Sequence, residues 1–180
     1  MKADAGPAAV LVGPPGAEVA AVAVELGRLL GLPVLDTDAE VERAAGVSVA
    51  ELFVERGEGA FRELERAAMV QAMSGHDGVL ALGGGAVADV RTQDELAGYA
   101  RAGGTVAFLD VGVADAARRL GFNAERPPGL GNPRQQWQRL MEQRRPLYER
   151  VATVTETTDG RTAEQVAHAL ATVLRRPSAP

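Results

Sequence analysis

The chain contains no cysteine, two histidines and, at Lys2, a single lysine among 180 residues. Without cysteine there is neither a disulfide framework nor a thiolate metal site, and His76 and His168 are too few to build one from imidazole. No structural metal is expected. An excess of basic charge is also missing: 19 Lys+Arg against 24 Asp+Glu give a net charge of -5, which argues against a dedicated nucleic-acid binder. No apolar run approaches the roughly 20 residues that cross a bilayer. The first residues carry no signal-peptide h-region, so no membrane association and a cytoplasmic location are expected. The scarcity of lysine leaves arginine to supply the cationic functions of the chain.

What is present points to an α/β protein. At 180 residues and 46% hydrophobic content the chain suits one well-buried domain. Ala8 to Val12 is a short apolar run that reads as a buried strand opening onto a Gly/Pro turn. Val19, Val22, Leu26, Leu29 and Leu30 then recur at helical spacing until Gly31-Leu32-Pro33 stops them. Further strands are predicted at 34–35, 79–82, 105–110 and 151–156. Between them lie helices at 39–45, at 57–73, 92–102, 113–120, 134–150 and 162–175, with a further short helix announced by the capping pair Ser48 and Glu51. This βα rhythm implies three α/β/α layers around a five-stranded parallel sheet. Residues 1–180 read as one domain, with residues 121–133, full of Gly, Pro and Asn, as a mobile lid and 1–7 and 176–180 as frayed tails.

The first strand, its loop and the following helix have the frame of a phosphate-binding P-loop. In GxxxxGK[ST] the backbone N–H groups cradle phosphates, the lysine reaches the terminal ones and the hydroxyl holds Mg²⁺. Here Gly13 and Gly16 remain, while Glu18, Val19 and Ala20 stand at the end of the motif. In a parallel sheet, ligands collect at the carboxyl ends of the strands, where Asp36, Asp38 and Gly83-Gly84-Gly85 fall. Asp38 suits a general base and Asp36 a carboxylate holding a metal-bound water; both also suit helix capping. The glycine triplet either admits a ligand to the backbone or is a flexible turn. Arg62, Arg144 and Arg145 suit bidentate capture of a carboxylate, and Arg126 suits a phosphate-closing finger, though each read alone is also an ordinary solvated charge.

Taken in order, Leu35-Asp36-Thr37-Asp38, Gly57-Glu58 through Phe61-Arg62 to Glu65, Leu82-Gly83-Gly84-Gly85-Ala86-Val87, Asn123 to Arg126-Pro127, and Arg144-Arg145-Pro146-Leu147-Tyr148 resemble shikimate kinase. That family has the nucleoside-monophosphate-kinase-like P-loop fold, and the resemblance spans residues 8–175. It implies a cytoplasmic, monomeric enzyme of aromatic amino-acid biosynthesis that uses ATP and Mg²⁺ to form shikimate 3-phosphate. It places the shikimate carboxylate at Arg62 and Arg144, its hydroxyls at Asp38 and the Gly83 to Gly85 backbone, and Pro15, Phe53, Phe61 and Glu65 around the pocket. By the same resemblance Asp38 is the base, Asp36 serves Mg²⁺ through water, Arg126 meets the transferred phosphate, and Arg119 stacks near adenine. Gly13 and Gly16 belong to the nucleotide loop.

The departure lies on the donor side. Where the family carries glycine, lysine and Ser/Thr, this chain has Glu18, Val19 and Ala20, without an insertion or deletion before Asp36. The first reading is therefore a member that keeps the acceptor site, binds shikimate or a similar hydroxylated carboxylate, and is catalytically weak or inactive, with a protein partner conceivable. The alternative is a working shikimate kinase; a third is a decaying copy with no ligand. A carboxylate in the first turn of a helix is favoured by the exposed N–H groups, so Glu18 is expected to occupy the anion cradle itself.

Overall fold

The computed structural model describes residues 6–124 and 131–175. Five strands, β1 (Ala9–Val12), β2 (Val34–Asp36), β3 (Val79–Ala81), β4 (Val106–Asp110) and β5 (Val154–Thr157), make one sheet in the order β2-β3-β1-β4-β5. All neighbours are parallel. β1 is central, and its uninterrupted Ala-Val-Leu-Val run is buried on both faces, as a strand covered from two sides requires.

The helices are α1 (Val19–Leu30), α2 (Thr37–Ala45), α3 (Val49–Gly75), α4 (Val90–Arg101), α5 (Val113–Arg119), α6 (Pro133–Val151) and α7 (Ala163–Leu174). The chain leaves β1 in one direction along the sheet and leaves β3 in the other. Right-handed crossovers therefore put α1 and α4 on opposite faces. α1 packs on α7, and α6 on α4 and α5, completing the three layers expected from the sequence. Among the described residues no helix is long and apolar enough to cross a membrane.

Several boundaries differ from the sequence reading, each for a local reason. α2 starts at Thr37 because the Asp36 carboxylate accepts the N–H groups of Asp38 and Ala39 and caps it. The Ser48/Glu51 capping box is formed and opens α3, whose backbone leaves helical geometry at Gly57 (φ 78, ψ 171), so that α3 is two helices joined at a kink, as the sequence reading has it. β5 begins at Val154, since Val151 is the buried last residue of α6. A short 3-10 turn, Ala86–Ala88, follows the glycine triplet and was not anticipated. Pro7, assigned by sequence to a frayed tail, is buried, and its carbonyl accepts the Tyr99 hydroxyl at 2.8 Å.

Close packing of α1 on β2 explains a glycine in the middle of a helix. A Cβ on Gly27 would lie 2.3 Å from Val34 Cγ2 and 2.9 Å from the Leu32 carbonyl. Gly27→Ala is therefore expected to destabilise the chain by about 1–3 kcal/mol through overpacking, outweighing the gain of up to ~1 kcal/mol that alanine brings to a helix. A urea unfolding series on both chains measures the sign.

Candidate active site

The donor loop runs from the end of β1 to the start of α1. Gly13 is confined, since a Cβ there would sit 2.8 Å from the Leu109 carbonyl, and the Ala17 N–H closes a turn on Pro14 O at 3.1 Å. Glu18 is the only non-glycine residue with positive φ among the described residues (φ 59, ψ 38). For an L-residue with a Cβ that conformation costs roughly 1–2 kcal/mol. Its side chain makes no capping hydrogen bond; the carboxylate instead lies 3.4 Å from Arg119 Nε. The expectation that Glu18 fills its own anion cradle is thus not met, because the left-handed backbone carries the side chain across to α5. Val19 packs inward against the edge of the core, and Ala20 is exposed without a hydroxyl.

Arg119, which the resemblance sets near adenine, reaches the loop with its donors engaged by the protein. It donates to Gly16 O at 2.9 Å, to Thr158 Oγ1 at 2.8 Å and O at 2.6 Å, and to Arg161 O at 3.2 Å. Its side chain is only 10% exposed. Arg119 therefore latches the donor loop to the turn after β5. Arg126 lies outside the described residues.

The acceptor half is built around the glycine triplet, each member of which is backed by a different group. A Cβ on Gly83 would fall 2.2 Å from Asp38 Oδ1 and 3.0 Å from Glu65 Oε1. On Gly84 it would meet Gly13 O at 3.2 Å, and on Gly85 the Arg62 guanidinium at 2.3 Å. Any side chain in this turn would displace an acid, the donor loop or an arginine. Arg62 is held by Glu65 at 2.7 Å and Glu58 at 3.4 Å, and Arg144 Nη1 donates to Gly84 O at 3.1 Å. Phe61 is buried, Phe53 leans on it with ring centroids 4.6 Å apart, and the Arg62 guanidinium lies 5.1 Å from the Phe61 ring centroid. Arg145 is not part of this group; it pairs with Asp110 at 2.7 Å beneath the ring of Phe108.

Donor and acceptor halves meet in a cleft of about 480 Å³ lined by Gly13 to Gly16, Glu18, Asp36, Asp38 and Gly83-Gly84 among others. Among the described residues its charged lining is all carboxylate. Burial, then the nearby charges of Asp36, Glu65 and Glu42, push the Asp38 carboxyl up to about 6, with Arg62 pulling the other way. Burial also raises Glu65 above the ordinary carboxyl value, against the pull of Arg62 and Arg144. Both Asp38 Oδ1 and Glu65 Oε1 are buried without a hydrogen-bond partner.

Asp36 Oδ1 is committed to capping α2 at 2.9 Å from Asp38 N, Ala20 supplies no hydroxyl, and no group of three or more His, Asp or Glu among the described residues could hold a metal ion.

The sequence reading missed four residues that shape the site. Thr37 Oγ1, buried, accepts the Gly83 N–H at 3.0 Å. The Tyr148 hydroxyl donates to Gly84 O at 2.5 Å, and burial pushes its pKa up to about 12, so it remains a donor. Trp137 Nε1 donates to Pro15 O at 2.9 Å, and the buried Thr158 receives Arg119. Thr37 and Tyr148 stand inside quoted motifs, but a hydroxyl's partner is not written in its own segment. Trp137 is the only tryptophan, which marks it without assigning it.

Two consequences are measurable. The folded chain holds the Asp38 proton to about pH 6, above the unfolded value of 3.8. Ionised Asp38 therefore costs stability above pH 6, and the cost disappears as pH falls toward 4. Asp38→Asn is expected to gain about 2–3 kcal/mol at pH 8 and to lose most of that gain near pH 4, as read from paired melting curves. Glu18→Gly removes the left-handed penalty and a half-exposed ion pair of about 0–1 kcal/mol. Its melting temperature should rise by about 2 °C, and a fall in calorimetry would show that the Arg119 contact dominates.

A profile of the family "Shikimate kinase" matches residues 16–175. Among curated proteins, the shikimate kinase of Thermobifida fusca is 46% identical over 165 residues, covering 92% of this chain and 93% of that protein. The shikimate kinase of Streptomyces coelicolor is 48% identical over 163 residues, with 91% and 92% covered. Among solved structures, the shikimate kinase of Acinetobacter baumannii in complex with shikimate superposes with a TM-score of 0.83 at 31% identity, covering 96% of this chain and 94% of that one. A gluconokinase from Sinorhizobium meliloti, at 16% identity and TM-score 0.58, shares the fold alone. The fold thus has its counterpart in known proteins, and the chain belongs to the shikimate kinase family.

Proposed function

We propose that this protein binds shikimate in the acceptor half and phosphorylates it from ATP at a rate far below that of a complete P-loop kinase. The observation that carries the first half is the layout around the triplet. Two unpartnered acid oxygens converge at Gly83, while the guanidiniums of Arg62 and Arg144 stand at Gly85 and Gly84. A ligand with hydroxyl donors at one end and a carboxylate at the other matches that polarity, and shikimate is such a ligand. Identity of 46–48% to shikimate kinases over nine-tenths of the chain supports turnover as well as binding.

Asp38 accepts the proton of the reacting hydroxyl. With its pKa near 6 the carboxylate is mostly ionised at neutral pH and still basic enough for the transfer. Arg62 and Arg144 orient the acceptor by its carboxylate, with Glu65 fixing the Arg62 fork. Arg126, in the resemblance, meets the moving phosphate.

On the donor side nothing described replaces the missing lysine. Phosphoryl transfer depends on positioning and charge stabilisation, and one such cation contributes about 10³–10⁵ in rate, or ~4–7 kcal/mol. A second reading, shikimate binding without turnover, is favoured by one specific observation: Glu18 adds a carboxylate beside Arg119, where phosphates would otherwise find a cation.

A coupled assay on the purified chain, beside Glu18→Gly/Val19→Lys/Ala20→Ser, separates these readings. The unmodified chain should turn over about 10³-fold or more slower than the repaired one. Turnover at equal rates would overturn the donor-loop argument, and activity in the repaired chain alone would establish binding without catalysis for the natural sequence. Arg62→Ala should weaken shikimate binding by about 10-fold or more in calorimetry, since a buried acid loses its partner and the ligand loses a bidentate one.

A further inference from the structure

One face of α6 is turned toward the place where the donor loop and the glycine turn touch. Trp137, Met141, Arg144 and Tyr148 follow one another at intervals of four, three and four residues, which places them on one side of the helix. Trp137 and Tyr148 are separated by about 16 Å along its axis. Their polar ends nonetheless reach a common target. Trp137 Nε1 donates to Pro15 O at 2.9 Å, and Arg144 and Tyr148 donate to Gly84 O at 3.1 and 2.5 Å. Pro15 and Gly84 lie close together, for a Cβ built on Gly84 would come within 3.5 Å of Pro15 Cδ.

The indole has no easy substitute for its partner. Trp137 is 6% exposed and Met141 5%, so an Nε1–H released from Pro15 would be left unpaired away from water. The opposite edge of the loop is held by Arg119 on Gly16 O. Successive carbonyls of the loop, Pro15 and Gly16, are therefore gripped from α6 and α5.

We infer that Trp137 is a positioning residue: its indole N–H fixes Pro15, and with it the donor loop, against the glycine turn of the acceptor pocket. The loop then keeps its place with no lysine of its own to order it. This role rests on the geometry of the chain, and only its effect on affinity rests on the shikimate reading.

The test uses the full chain. Trp137 is the only tryptophan, so a single indole N–H resonance reports on this bond in a nitrogen-15 spectrum. That proton should exchange with solvent about 100-fold or more slower than an exposed indole; rapid exchange would overturn the inference. Trp137→Phe keeps the ring and removes the donor. Amide exchange in residues 13–21 should then quicken by about 3- to 10-fold while β3 and β4 are unchanged, and the shikimate dissociation constant should rise by a similar factor. Unaltered exchange at 13–21, or a uniform acceleration throughout the chain, would refute a positioning role. Should the variant not fold, indole exchange in the unmodified chain decides the matter. Absence of any shikimate response in the unmodified chain would defeat the proposed function and leave the exchange measurements to judge Trp137 on their own.

Discussion

The approach of Gly84 to the Gly13–Pro15 backbone is the constraint from which the rest of the site follows. Two loops from neighbouring parallel strands come this close because Gly84 has no side chain to hold the Gly13 carbonyl and the Pro15 ring away. The contact brings the donor and acceptor halves into one cleft. It also leaves carbonyls that face away from their own strands, and these are taken up by Trp137, Arg119, Arg144 and Tyr148. A backbone pressed against backbone in this way has few side chains of its own to anchor it, so neighbouring helices supply the anchors.

Charge is distributed unevenly across that contact. The acceptor half balances its acids with Arg62 and Arg144. The donor half has Glu18 and Asp36 with Arg119 already bound to protein carbonyls. The electrostatic asymmetry between the two halves of one cleft is thus carried by a few side chains, Glu18 and Asp36 on one side and Arg62 and Arg144 on the other.

Much of the fold was legible because its signals are local and repeated. Apolar runs at β1, β3 and β4, stop signals at Gly31-Leu32-Pro33 and the Ser48/Glu51 box all appeared where the periodicity placed them. Of the site, Asp38, Arg62, Glu65 and the triplet are brought together as their motifs implied. What escaped were long-range hydrogen bonds. Thr37 to Gly83 spans 46 residues and Trp137 to Pro15 spans 122, and no pattern within either segment encodes the other. The fate of Glu18 was misread for a related reason: its segment suggests a helix cap, whereas the backbone angle that decides its direction is imposed by the fold.

That angle has a wider implication. A left-handed residue is usually explained by the residue itself, a glycine chosen because it can adopt the turn. Here the turn persists around a glutamate that resists it, so its origin lies in the surroundings: the Pro14 carbonyl closing on Ala17, the grip on Pro15 and Gly16, and the helix that must start at Val19. The loop is cast by its walls. A loop fixed from outside in this way tolerates an ill-suited residue at a cost of about 1–2 kcal/mol, because neighbours and not the residue set the backbone angle.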